Sequence, residues 1–190
     1  MKKLRGREKA KKFQFFLRIV IGIWSLFPRK VLHSLLVLNR NLPGYLGLGI
    51  RYTIFKVLCK SCGENVLIGP GVYFFKLENL VVGDNVSFHP LCYIDATGGV
   101  EIQKDVSIAH NCTIVSFEHD YTSGTIYRDN PVISNPISIG SNVWLGAGVR
   151  VLSGTIIENN VVIGAGSIVK GKINKDSLYV GVPAKKIKEI

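Results

Sequence analysis

Acidic residues are almost missing from the first third of this chain: residues 1–60 carry 14 Lys and Arg against Glu8 alone. Residues 61–190 hold 10 basic and 12 acidic residues, so the formal charge of +11 belongs to an N-terminal arm of +13 and not to the body. Such an arm is drawn to polyanions. Its charges precede a long apolar stretch and are not interleaved through a polar patch, which argues against nucleic acid and for an anionic membrane surface.

Cysteine is scarce as well. Cys59, Cys62, Cys92 and Cys112 are too few for a disulfide scaffold. Cys59-Lys-Ser-Cys62 has the spacing of half a zinc site, but no second pair completes a set of about four ligands. No metal is expected. Long apolar runs are missing too: Phe13 to Phe27 contains Gln14 and Arg18 and stops at Pro28, short of the ~20 residues a span needs. No A-x-A site follows it, so a secretory leader is not expected and a cytoplasmic location is. On a helical wheel Phe13, Phe16, Leu17, Val20, Trp24 and Phe27 share one face, and Gln14, Arg18, Ser25 and Arg29 the other. Lys2, Lys3, Arg5, Arg7, Lys9, Lys11 and Lys12 lead into it. Two readings stay open: residues 1–40 rest on the inner face of the cell membrane, or the helix packs on the body or on another subunit.

What is present is a repeat. Twenty glycines argue against an all-helical chain. From residue 66 an aliphatic or small residue recurs every six positions, with two-residue slips at 72–80 and 92–100 read as outward loops at corners: Val66, Val72, Leu80, Val86, Cys92, Val100, Val106, Cys112, and after a gap Ile137, Val143, Val149, Thr155, Val161, Ser167 and Ile173. A second apolar residue usually follows two positions later, as in Ile139, Leu145 and Ile163, and Gly or Asn fills the corners. Residues i and i+2 of a strand face one side, and Gly and Asn tolerate tight turns. Three units close a triangular coil of about 18 residues. The expected fold is all-β: a parallel β-helix of about five coils over residues 59–190, preceded by a helical, amphipathic arm over 1–58. Cys92 and Cys112 fall on the inward register.

The largest break, residues 116–136, is polar and carries His119 between Glu118 and Asp120. Long loops in compact domains are usually functional. An imidazole titrates near neutrality and suits the removal of a proton from a hydroxyl.

The stretch from about Arg51 to Ile190 resembles the hexapeptide-repeat, left-handed β-helix acyltransferases. Within them it is most similar to the sugar O-acetyltransferases of the maltose and galactoside type and to enzymes that decorate bacterial polysaccharides. The motifs are Ile108-Ala-His-Asn111, Ser116-Phe-Glu-His119-Asp, Pro136 to Gly148 around Trp144, Gly164-Ala-Gly-Ser-Ile-Val169 and Gly181-Val-Pro-Ala184. The resemblance implies a homotrimer with active sites between subunits, acetyl-CoA as donor, a saccharide acceptor and His119 as general base. It implies that Trp144 lines the site near the thioester, that backbone around Gly146, Ala147, Ala165 and Ser167 holds the pantetheine arm, and that Lys170, Lys172, Lys185 and Lys188 meet the CoA phosphates. Six of the body's ten basic residues lie at or beyond Lys170, which suits a polyanionic donor. On the acceptor side His89 stands where maltose-type enzymes carry an asparagine; Asn111 belongs to the same group. Asp95, at a corner facing the groove, is a candidate to bind a sugar hydroxyl and equally an Asx-turn residue before Gly98-Gly99.

Three other readings share this scaffold. An amino-sugar N-acetyltransferase uses the same base. A trimeric membrane-associated scaffold needs no chemistry, although the intact His119 loop and Trp144 run argue against it. Zinc-dependent carbonic anhydrases use two histidines five apart, a spacing missing here.

Overall fold

A computed structural model describes the backbone of residues 6–124 and 126–190, and the side chains from Phe15 onward except Thr125. Three helices come first: α1 (Gly6–Trp24), α2 (Arg29–Leu38) and α3 (Gly44–Leu58). Pro28 and Pro43 precede α2 and α3 at the cap position, where a missing N–H costs nothing.

The remainder is a left-handed β-helix whose strands stack in three parallel sheets. The first face runs Ser61–Cys62, Leu80–Val82, Val100–Ile102, Ile137–Ile139, Ile156–Ile157 and Lys172–Ile173. The second runs Leu67–Ile68, Ser87–Phe88, Ser107–Ile108, Val143–Leu145, Val161–Ile163 and Ser177–Gly181, closed by the antiparallel strand Ala184–Glu189. The third has Tyr73–Phe75, Tyr93–Asp95, Thr113–Val115, Arg150–Val151 and Ile168–Val169. Five coils are complete and a sixth is begun, because Ser61–Cys62 and Ser177–Gly181 add a strand at each end of the repeat read from the sequence. One register differs from that reading. Ile173 pairs with Ile157, so it is the second inward residue of its strand. The coil there is two residues short, at the corner Lys170-Gly171.

The prism interior is the apolar series itself. Val86, Cys92, Ile94, Cys112, Ile114, Val149, Val161 and Ile163 have no exposed surface. The corner between the first and second faces explains the recurrent Asn and Asp. Asn65, Asn85, Asp105, Asn142, Asn160 and Asp176 all have φ between 53 and 60°, a region these side chains tolerate. Their amides bond up the stack, Asn65 to Asn85 at 2.9 Å, Asn85 to Asp105 at 3.0 Å and Asn142 to Asn160 at 3.1 Å.

The helices are not a detached arm. Ile54, Phe55 and Leu58 of α3 are fully buried in the same core as the first coils, with the Phe55 ring 4.7 Å from Phe74 and 6.0 Å from Phe88. A solenoid needs such a cap over its open end, so a boundary at residue 58 cuts through one core. Buried Arg51 fastens the cap: Nε donates to Ile68 O at 2.9 Å, and a terminal nitrogen donates to Leu42 O at 2.7 Å.

The apolar face expected on α1 is divided. Leu17, Ile21 and Trp24 pack against the core, and the Trp24 indole donates to Thr53 Oγ1 at 3.1 Å. Phe15, Phe16, Ile19 and Ile23 point away, Phe15 at 79% exposure. Ile21 and Trp24 lie four and seven residues after Leu17, one helical stripe; Phe16 falls on the neighbouring stripe. The basic run Lys2 to Lys12, with Phe13 and Gln14, lies outside the residues whose side chains are described. Among the described residues no helix is long and apolar enough to cross a membrane.

Candidate active site

The loop leaves the prism after the third-face strand Thr113–Val115 and returns to the first face at Ile137. Its neck is clamped. The buried Ser116 hydroxyl donates to Asp95 O at 2.9 Å and accepts from Gly98 N at 2.8 Å, while Asn135 N donates to Ser116 O at 3.0 Å. A β-carbon at Gly98 would run into the Ser116 carbonyl, so only glycine lets this corner lie against the neck. Beyond the neck Phe117–His119 pairs antiparallel with Val132–Ser134, which puts His119 opposite Val132 at the end of a projecting hairpin. The imidazole is exposed, edge-on to the Phe117 ring with centroids 6.5 Å apart.

Neither sequence neighbour orients it. Asp120 Oδ1 accepts from the Thr122 amide and hydroxyl at 2.8 and 2.6 Å and from Ser123 N at 3.3 Å, forming the turn beyond the hairpin. Hydrogen bonds from Ser123 and Thr122 hold its carboxyl down to about 2. Glu118 turns the other way and pairs with Lys170 at 2.9 Å.

A second group of residues gathers on a different edge, the corner between the second and third faces. Here His89-Pro90-Leu91, Ala109-His110-Asn111, Gly146-Ala147-Gly148 and Gly164-Ala165-Gly166 stack one above another. Asn111 N bonds Pro90 O at 3.0 Å, Gly148 N bonds His110 O at 3.0 Å, and Gly166 N bonds Ala147 O at 2.8 Å. His89, Asn111 and Ala165 are exposed along it, and Trp144, 55% exposed, projects from the second face two residues before it. Ser167 is buried instead: its hydroxyl donates to Gly164 O at 2.7 Å and accepts from Gly181 N at 3.0 Å, so only its backbone shapes the edge. Arg150, which the sequence reading passed over, braces the column by donating to Gly148 O at 3.0 Å and to Asn111 O. Its only signal is a cation set between two inward valines, Val149 and Val151.

The two groups do not meet within one chain. The third face separates the His119 hairpin from the Trp144 column, and a side of about six residues spans up to ~20 Å. The four lysines are divided likewise. Lys170 and Lys172 sit where the third face turns into the first, with Lys172 paired to Glu158 at 2.9 Å, whereas Lys185 and Lys188 lie on the strand that closes the second face. Asp95, 6% exposed, lies on the third face and accepts from the Thr97 amide and hydroxyl at 2.9 and 2.6 Å, the turn-forming role. Among the described residues no three His, Cys, Asp or Glu groups gather as metal ligands.

Comparison with known proteins agrees with this architecture. The model of the bacterial transferase hexapeptide (six repeats) matches residues 136–171, the coils around Trp144. Galactoside O-acetyltransferase of Escherichia coli K12 is 36% identical over 74% of this chain and 68% of its own length. A putative lipopolysaccharide biosynthesis O-acetyl transferase of the same strain is 37% identical over 67% of this chain and 70% of its own. Among solved structures, a galactoside acetyltransferase in complex with coenzyme A is 30% identical, with a TM-score of 0.76 over 85% of this chain and 80% of that one. A maltose O-acetyltransferase from Clostridium difficile, also 30% identical, reaches 0.73 over 85% and 86%. With its stacked hexapeptide coils, projecting histidine hairpin and this identity over most of its length, the chain belongs to the bacterial hexapeptide-repeat acyltransferases.

Proposed function

We propose that the protein transfers the acetyl group of acetyl-CoA to a saccharide hydroxyl, working as a homotrimer whose sites lie between subunits. One observation carries this reading. His119 and the Trp144 column occupy different edges of the same prism, so a site containing both takes one edge from each of two copies. Three copies around an axis parallel to the prisms pair every hairpin edge with a neighbour's column.

In that groove the pantetheine arm runs along Gly146, Ala147 and Ala165 past Trp144, whose exposed ring covers the thioester. The ammonium groups of Lys170, Lys172, Lys185 and Lys188, drawn from both copies, meet the phosphates as compact positive charges. His119 takes the hydroxyl proton while the acceptor oxygen bonds to the thioester carbonyl carbon. A backbone amide of the column steadies the oxyanion; the carbon–sulfur bond then breaks, and the thiolate leaves and is protonated. His89 and Asn111 flank the acceptor. The relatives named for galactoside, maltose and lipopolysaccharide chemistry support a sugar acceptor, and the coenzyme A complex of the galactoside enzyme supports the donor.

The test is CoA release from acetyl-CoA against sugars, nucleotide sugars and lipid-linked glycans, with His119→Ala as control. We expect the variant to lose about 10²–10⁴-fold in turnover while keeping its oligomeric state and acetyl-CoA affinity. A wild-type protein that binds no acetyl-CoA by calorimetry removes the reading. A product that survives mild alkali would be an amide and would favour amino-sugar N-acetylation.

For the helical segment, the exposed stripe Phe15, Phe16, Ile19 and Ile23 beside Arg18 supports an anionic membrane surface as the place where the enzyme works.

A further inference from the structure

The third face carries an aromatic patch that neither the fold nor the proposed transfer step uses. Tyr73 and Phe75, 42% and 44% exposed, lie side by side with the half-buried Tyr93 of the next coil. Tyr73 and Tyr93 are stacked at 27° with centroids 6.5 Å apart, and the Phe75 ring lies 5.1 Å from Tyr93. The Arg40 guanidinium, from the link between α2 and α3, sits 3.7 Å above the Tyr73 ring centroid and fixes it at one end. These outward positions would keep a β-helix soluble as serines or charges, as Ser87 and Ser107 do on the second face. Three aromatics there form an exposed apolar surface edged by polar groups: two phenol hydroxyls and Arg40.

Its place gives it a use. The strand register runs Phe75, Asp95, Val115 up the stack, and Ser116 then opens the neck of the His119 hairpin. At ~4.8 Å per coil the patch begins one to two coils below that neck. The opposite border of the same face is the corner carrying His89 and Asn111. In the trimer the two borders of face three therefore belong to two different sites, and a glycan chain that extends from the ring at His119 down the stack would pass over the patch.

We infer that Tyr73, Phe75 and Tyr93 form a stacking platform for a sugar ring of an oligosaccharide or polysaccharide acceptor, next to the ring that His119 serves. A pyranose has an apolar face of axial C–H groups and a rim of hydroxyls; the first suits an aromatic surface and the second suits the polar border. The inference rests on the acetyl-transfer reading and narrows its substrate class from a sugar to a glycan chain.

The experiment uses the full chain and acetyl-CoA, with galacto-, malto- and N-acetylglucosamine-series oligosaccharides of one to six sugars as probes, and measures KM and kcat for each length. We expect KM in at least one series to fall as the chain grows from one sugar to three. Phe75→Leu and Tyr93→Leu should each remove about two- to tenfold of that gain, leaving the one-sugar KM and kcat unchanged. Leucine keeps the face apolar, so a surface that only covers another subunit tolerates it; variants that dissociate in sedimentation overturn the platform. Transfer that proceeds with no dependence on length, or a dependence that both variants keep, also overturns it. Failure to bind acetyl-CoA instead defeats the transfer reading, and the platform with it.

Discussion

Replacing Arg51 by methionine tests how the helical cap is held to the prism. The methionine keeps an apolar stem of similar length and removes the guanidinium. Arg51 donates four bonds to main-chain carbonyls: to Ile68 at 2.9 Å and Leu42 at 2.7 Å, and to Asn39 and Arg40 at 3.3 and 3.4 Å. The first two have good length, and charge-assisted bonds contribute about 1.5–3 kcal/mol each. Removing the charge also relieves its burial, which lowers its pKa. We expect a net loss of about 3 kcal/mol, a large share of the ~5–15 kcal/mol that holds a typical domain. At this chain length that is roughly 6–12 °C in Tm. Urea unfolding at one fixed protein concentration, followed by far-ultraviolet circular dichroism and by the fluorescence of Trp24 and Trp144, reads it. The concentration matters because assembly adds to apparent stability. Arg51→Lys should fall between the two, since a point charge reaches fewer carbonyls. A loss below about 0.5 kcal/mol for Arg51→Met would refute the argument and mean that the apolar contacts of Phe55 and Leu58 hold the cap without this clamp.

Three further outcomes follow from the loop, the lysines and the arm. The Asp120 carboxyl is held at about 2 by Ser123 and Thr122. A depressed carboxylate contributes order that is present above its unfolded value near ~4 and lost as pH falls through its folded value. The Thr122 and Ser123 amide shifts should therefore titrate with a midpoint near 2, and a midpoint near 4 would refute the turn. Lys170→Met breaks an exposed ion pair with Glu118, so stability should change by less than ~1 kcal/mol. KM for acetyl-CoA should rise several-fold and depend less on salt; an unchanged KM removes Lys170 from the phosphate site. Finally, the full chain should co-sediment with phosphatidylglycerol vesicles and not with neutral ones, and Phe15→Ser with Phe16→Ser and Ile23→Ser should abolish this. Equal recovery in the supernatant with both lipids would leave docking on another subunit as the role of that stripe.

The fold was legible because a six-residue period is a local property. Each inward pair such as Val143 and Leu145, and each left-handed corner such as Asn142, is dictated within one coil, and the coils then stack by repetition. The position of the hairpin that carries His119 was legible for a related reason: a polar segment in a solenoid interrupts the pattern. Two features lay beyond the period. The division of α1, with Leu17, Ile21 and Trp24 inward and Phe15 and Phe16 outward, depends on where α3 lies, which no helical wheel contains. The two-residue shortening at Lys170-Gly171 escaped because Ile173 is apolar in either register.

What only the tertiary structure decided is the distribution of the candidate site residues over edges. Linear order puts His119 near Trp144, yet the turn of each coil sends them to different sides of the prism, while it brings His89, Asn111 and Ala165 together across many residues. It also gathers Tyr73, Phe75 and Tyr93, unremarkable in sequence, into one surface. The sequence alone determines the coil, because burial and corner geometry act over six residues. Which coil side each candidate residue occupies is set by counting corners, and that count exists only once the chain has wound.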